Sequence, residues 1–173
     1  MNWTKRDMLM QELPAAADIL AIVPMHGAQG GSATVIHTAD GKELTLRAAT
    51  EYVLTCLAGR EDKELRLIRR NAARLLARRR NIILPILHGC VLAPIMVGAS
   101  ARRHGRLGYI NIARRPLIGS GADGTDVALH SGIVIHSLWQ PATVKKLVHE
   151  GCAVHYKLLV DVQRQLRRVE AFV

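Results

Sequence analysis

From Leu65 to Ala122 this chain has no aspartate and no glutamate. A helix face that meets only water usually interleaves both signs. An acid-free stretch rich in arginine therefore points to an anionic partner. Aromatic residues are also scarce, at 3% of the sequence, which argues against a platform of rings stacking on single-stranded bases. There are three cysteines, Cys56, Cys90 and Cys152, an odd and sparse set that excludes a disulfide framework. No basic segment followed by an apolar run opens the sequence. No apolar run reaches the length of a membrane span. The expectation is a soluble, cytoplasmic protein with no membrane partner.

What is present is positive charge in one place. The formal net charge is +10. Residues 60–115 hold 14 Lys and Arg against 3 Asp and Glu, and all other residues hold 10 against 11. The middle third thus carries the whole excess. Phosphate binding needs such a focused patch, although an anionic membrane or an acidic protein would also be attracted. Hydrophobic residues make up 49% of the 173, enough for one sizeable core.

Residues 65–80 read LRLIRRNAARLLARRR. Leu65, Ile68, Ala72, Leu75 and Leu76 recur at steps of three and four, the period of one helix face. Arg66, Arg69, Arg70, Arg74 and Arg78 fill the other faces, and Arg79 and Arg80 close the segment. The spacing predicts a helix from about Arg60, with Asp62 and Glu64 at its positive end. Its arginines are the first candidates for phosphate contact. Arg102, Arg103 and Arg106 in the loop 100–107 are the second set, with Gly105 and Gly108 giving that loop freedom to enter a groove. Asn71 is the one amide on the helix, so side chains that read adenine are scarce and phosphate contact is favoured over base readout.

The rest reads as a mostly antiparallel α+β chain with four or five helices in one domain, 1–173, with a conceivable subdivision at 1–80 and 81–173. Thr4 with Asp7 reads as a helix N-terminus in residues 1–12. Residues 18–24 read as a buried strand, 27–32 as a plain turn, and 33–38 and 43–47 as strands around the turn Ala39-Asp40-Gly41. Residues 48–58 are helical in pattern, ended by Gly59. Strands follow at 82–87 and 91–97. Pro85 and Pro94 mark them as edge or bulged strands. A short strand is read at 109–113, a flexible turn at 119–124, and strands at 125–130 and 133–139. Helices are read at 141–150 and 154–169, separated by Gly151.

Two other chemistries have partial signals in the sequence. His88-Gly89-Cys90 and His149, Cys152 and His155 have spacings that suit a metal, but Gly151 interrupts the second group. Scattered histidines with buried free thiols is the simpler reading, and no metal or other cofactor is expected. Asp123, Asp126, His130, Ser120 and Ser131 cluster in sequence without a known catalytic spacing. Asp123 and Asp126 read more simply as turn formers, and no catalytic residue is assigned.

Residues 93–97 (Ala-Pro-Ile-Met-Val), 108–112 (Gly-Tyr-Ile-Asn-Ile) and 125–132 (Thr-Asp-Val-Ala-Leu-His-Ser-Gly) resemble, in order and rough spacing, three strand motifs of the ComK competence transcription-factor family. A weaker resemblance, over residues 34–58, is to the opening of the LytTR type of DNA-binding domain. By resemblance the chain is expected to be a homo-oligomeric transcription regulator. It would bind double-stranded DNA at AT-rich sites, largely through the minor groove, where arginine is favoured by the concentrated negative potential. A homodimer is the expected form. An RNA-binding protein is the alternative reading, and a metal-dependent nucleic-acid-processing enzyme is a more distant one.

Overall fold

The computed structural model describes residues 4–26, 31–98 and 106–170. Thr4 caps the first helix, α1 (Lys5–Glu12): its hydroxyl accepts from the Asp7 N–H at 3.2 Å, and the Asp7 carboxylate accepts from the Thr4 N–H at 3.0 Å. This reciprocal box satisfies donors that a helix start otherwise leaves open. Three antiparallel strands follow, β1 (Ile19–His26), β2 (Ser32–Thr38) and β3 (Glu43–Leu46). The tight turn between the last two places Gly41 at φ 80°, a conformation glycine adopts without strain. The expected loop at 27–32 lies mostly outside the described residues, and Ser32 already belongs to β2.

Two helices come next, α2 (Thr50–Arg60) and α3 (Leu65–Leu75). Gly59 does not end α2. Asp62 takes the left-handed position instead, at φ 54°, with its N–H bonded to Gly59 O and the Lys63 N–H bonded to Ala58 O. The arginine helix therefore starts at Leu65, later than Arg60, and Asp62 belongs to the preceding turn.

The remaining strands are β4 (Leu84–Leu87), β5 (Cys90–Val97), β6 (Arg106–Asn111), β7 (Leu117–Gly121), β8 (Gly124–Ala128) and β9 (Val134–Ser137). Among the described residues one sheet of nine strands results, in the order β3-β2-β1-β6-β5-β9-β8-β7, with β4 paired to β5 beside that path. Every pairing is antiparallel, so the chain is α+β. The β1–β6 pairing joins the first and second halves of the sequence in one sheet.

Pro85 sits in β4, which pairs only with β5 and has a bulge next to it, as its proline requires. Pro94 departs from the expectation, because β5 is a central strand. On one side Pro94 faces Tyr109 of β6. The other edge of β5 pairs with β4 at residues 90–92 and with β9 at Val97. Pro94 lies between those two ladders, where its missing N–H costs no ladder bond. The segment 119–124 is a second departure. Its first half is edge strand β7, and only Ala122 and Asp123 make the turn.

Two cores lie on the two faces of the sheet. Leu9, Leu54, Leu57, Leu65 and Ile68 from α1, α2 and α3 cover one face with Ile22, Ile36 and Leu92. The other core packs α4 (Pro141–Glu170) through Val144, Leu147 and Val154 onto Ala93, Ile95, Ile110 and Ile112. The two helices expected at 141–150 and 154–169 are this single helix of 30 residues. Gly151 does not break it. A Cβ there would lie 2.8 Å from Ile112 Cγ1, so glycine provides close approach of helix to sheet.

Asn111 fastens the centre. It is buried, and its Oδ1 accepts from the Val91 and Ala113 N–H groups at 3.1 Å each. Its Nδ2 donates to Ile19 O at 2.7 Å and Gly89 O at 3.0 Å. All polar capacity of the amide is used, as burial demands. No helix among the described residues is long and apolar enough to cross a membrane.

Candidate nucleic-acid interface

The arginine helix α3 docks by Leu65, Ile68 and Ala72, which are buried as the period predicts. Leu75 is the exception, 47% exposed, because the helix ends there. Ala77 turns the chain out at φ 48°. Its N–H donates to Arg74 O at 3.3 Å, and the Arg78 N–H donates to Ala73 O at 3.0 Å, a Schellman ending with alanine in glycine's usual place. Arg78, Arg79 and Arg80 thus lie in a turn, not in the helix. That turn passes around the β4 edge of the sheet. Leu65 and Ile68 belong to the first core, whereas Leu76 and Ile83 pack in the second.

The arginines fall into two groups. Arg69 and Arg78 are held by carboxylates. Arg69 donates to both oxygens of Glu51 on α2, with Nη2 to Oε2 at 2.6 Å. That contact raises the Arg69 pKa, and the buried Tyr109 hydroxyl adds to it. Arg78 donates through Nη2 to Oε1 of Glu150 on α4 at 2.9 Å. Its Nε lies 2.6 Å from Oε2, close enough for an ion pair although its hydrogen is not aligned on that oxygen. Both side chains of this pair are less than a quarter exposed. Arg69 and Arg78 therefore each hold two elements together through a carboxylate partner.

Arg66, Arg70, Arg74, Arg79 and Arg80 are exposed. Among the described residues none of the five has a carboxylate within 4.0 Å. Arg66, Arg70 and Arg74 repeat every four residues, about 6 Å apart along the axis at ~1.5 Å per residue. They form one row on the outer side of α3, and Arg79 and Arg80 follow in the turn. Arg106, half-buried, begins β6 and lines a small groove with Pro24, Ala33 and Thr50. Arg102 and Arg103 lie outside the described residues.

Other basic residues of the middle third serve the fold. Arg60 donates to Leu13 O and Pro14 O, Lys63 to Ile86 O, and Arg114 to Ala17 O. These bonds are non-local, and sequence counting cannot separate their donors from free ones.

The metal and enzyme readings gain no support. Among the described residues no three His, Cys, Asp or Glu side chains group as metal ligands. The spacing argument changes, however: because α4 is continuous, Gly151 does not part His149, Cys152 and His155. Burial pushes the Cys90 thiol up to about 12 and the Cys56 thiol upward as well, so neither is a thiolate at neutral pH. Asp126 lies in strand β8, not in a turn, and its Oδ1 is 2.9 Å from His136 Nδ1. The positions beside this pair are Gly119 and Gly121, which carry no nucleophile. A groove of about 640 Å³ is lined by Glu12, Asp18, Asp40 and Glu43 with Lys42. Its sign is wrong for phosphate.

No protein-family model, curated protein or solved structure matches this chain.

Proposed function

We propose that this chain binds double-stranded nucleic acid, with DNA as the target, and acts as a transcription regulator of the ComK-like kind. One observation carries the reading: five exposed arginines, Arg66, Arg70, Arg74, Arg79 and Arg80, run along α3 and its following turn with no acidic partner among the described residues. Guanidinium groups left free in an acid-free segment are suited to phosphate oxygens. The helix bearing the row is anchored by buried Leu65 and Ile68 and by the Arg69–Glu51 pair, so its cations are positioned before binding. Asn71 is the one amide on α3 itself, which favours phosphate and shape recognition over reading of base edges by the helix.

The test is a binding titration against a labelled AT-rich duplex, with a GC-rich duplex and a double-stranded RNA as competitors. Replacing Arg66, Arg70 and Arg74 together by Ala weakens DNA binding at least about tenfold, and the AT-rich duplex is preferred. Equal binding by the triple variant removes the proposal. Preferential capture by the RNA duplex moves the target to A-form helices.

A further inference from the structure

The sheet ends at β3, whose outer edge faces α1 across a groove. Two hollows along it, of about 640 and 390 Å³, share Glu12. Residues 42–44 line the first and residues 45–48 the second, so the groove follows β3 from end to end. α1 forms the facing wall through Lys5, Met8 and Glu12. Main-chain bonds between β3 and β2 alternate along the strand. The Thr38 N–H donates to Lys42 O at 3.0 Å, and the same register pairs Ile36 with Leu44 and Thr34 with Leu46. The N–H and C=O groups of Glu43 and Thr45 therefore point outward. Among the described residues no strand pairs on that side and no main-chain group bonds them. Nor does β3 carry a proline or a bulge, two common means of blunting an edge.

We infer that an extended peptide of another protein, basic in one half and apolar in the other, adds to this edge as a further strand between β3 and α1. Strand addition draws affinity from the free main-chain groups and selectivity from the groove. Charge sets the composition of the peptide. At the first hollow Glu12, Asp18, Asp40 and Glu43 stand against Lys42 and, beside Asp18, Arg114. Burial lowers the His37 pKa and outweighs the neighbouring Glu43. The ring beside Glu43 is therefore neutral at pH 7 and leaves that carboxylate's charge in place. This end of the groove is thus net acidic in a chain of net charge +10. It attracts cationic side chains and repels phosphate. The second hollow has apolar walls in the exposed Met8 and Tyr52. Lys5 and Arg47 also line it, so a cation is turned away there. Antiparallel addition, the pairing already used between β2 and β3, puts the apolar half of the peptide at its N-terminal end and the basic half at its C-terminal end. None of these residues belongs to the arginine row, so the inference stands apart from the nucleic-acid reading.

Fluorescence anisotropy of a labelled, end-blocked peptide, Val-Thr-Val-Thr-Lys-Val-Lys, titrated with the full chain, tests it. The wild-type chain binds this peptide at least about tenfold more tightly than the same peptide with glutamates in place of the lysines. Binding also slows hydrogen exchange at the Glu43 and Thr45 N–H groups. Thr45→Pro removes an outward donor without removing a bond to β2, and it weakens binding at least about tenfold. Glu12→Lys with Glu43→Lys, at two exposed positions, abolishes the preference for lysine over glutamate, so the test does not rest on the folding of the proline variant. No anisotropy change with either peptide up to about 1 mM chain overturns the inference, as does a double variant that keeps the preference. A proline variant that binds as the wild type does shows a purely ionic attachment and overturns strand addition. Self-association of the wild-type chain that Thr45→Pro abolishes gives the edge to a second copy and also overturns the inference.

Discussion

Ala77 and Asp40 show how single residues set the local geometry around the charged segment. Ala77 ends the arginine helix in the left-handed region, at φ 48°, where a Cβ is strained and glycine is not. Ala77→Gly therefore raises the unfolding free energy, by about 0.5–1 kcal/mol, with glycine's greater unfolded-state freedom offsetting part of the gain. Chemical denaturation reads this directly, and a destabilised variant contradicts the assigned ending. In the β2–β3 turn, bonds from Lys42 and from the Thr38 hydroxyl hold the Asp40 carboxyl down to about 2. A depressed carboxyl pKa contributes stability that is complete above the usual carboxylate range and is lost as pH falls through the folded value. Carbon-detected NMR titration should therefore place the Asp40 midpoint about two units below an ordinary aspartate's. A midpoint near the ordinary value means the turn's bonds are absent in solution.

Among elements, α4 and the arginine turn depend on contacts between distant parts of the sequence. Gly151→Ala places a methyl against Ile112, and we expect it to cost about 1–3 kcal/mol despite alanine's better helix propensity. In an Ile112→Ala background the clash is gone. The same change then stabilises by up to about 1 kcal/mol. That sign reversal in a double-mutant cycle checks the packing, and a stabilising Gly151→Ala in the native background contradicts it. The turn after α3 is tied to α4 by Arg78 and Glu150, seventy-two residues apart in sequence. Arg78→Ala leaves a largely buried carboxylate without its partner and costs about 1–3 kcal/mol, part of which Glu150→Ala recovers. Additive effects in that cycle mean that the pair is not formed. Local signals made other elements legible in the sequence. The Thr4–Asp7 box, the Asp40-Gly41 turn and the buried stripe of α3 all depend on residues within one or two turns of chain. The elements that local pattern does not reveal depend on distant partners. Gly151 looks like a helix breaker until Ile112 is known to need its space, and the edge strand Leu117–Gly121 hides between glycines that only its pairing with β8 explains.

For the whole molecule, the sequence placed the excess charge correctly in the middle third but could not show how much of it is free. Arg60, Lys63, Arg69, Arg78 and Arg114 each bond an internal oxygen. Their partners are separated from them by 18 to 97 residues, a range over which charge counting carries no information. Among the described residues, the members of the candidate set without a carboxylate within 4.0 Å are Arg66, Arg70, Arg74, Arg79 and Arg80 along α3 and its turn, and Arg106 at the start of β6; Arg115, exposed and also without one, lies outside the candidate set. This division makes the central claim quantitative. If these six meet phosphates, the logarithm of the DNA association constant should fall with the logarithm of salt concentration with a slope of about −5. The measurement that tests this most directly is that slope for wild type, for the Arg66/Arg70/Arg74 triple alanine variant, and for a double alanine variant at Arg69 and Arg78. The account predicts about −5 for wild type, a slope shallower by about 3 for the triple variant, and little change for the double variant, in its folded fraction. A flat wild-type response, or a double variant whose slope falls as far as the triple variant's, would contradict it.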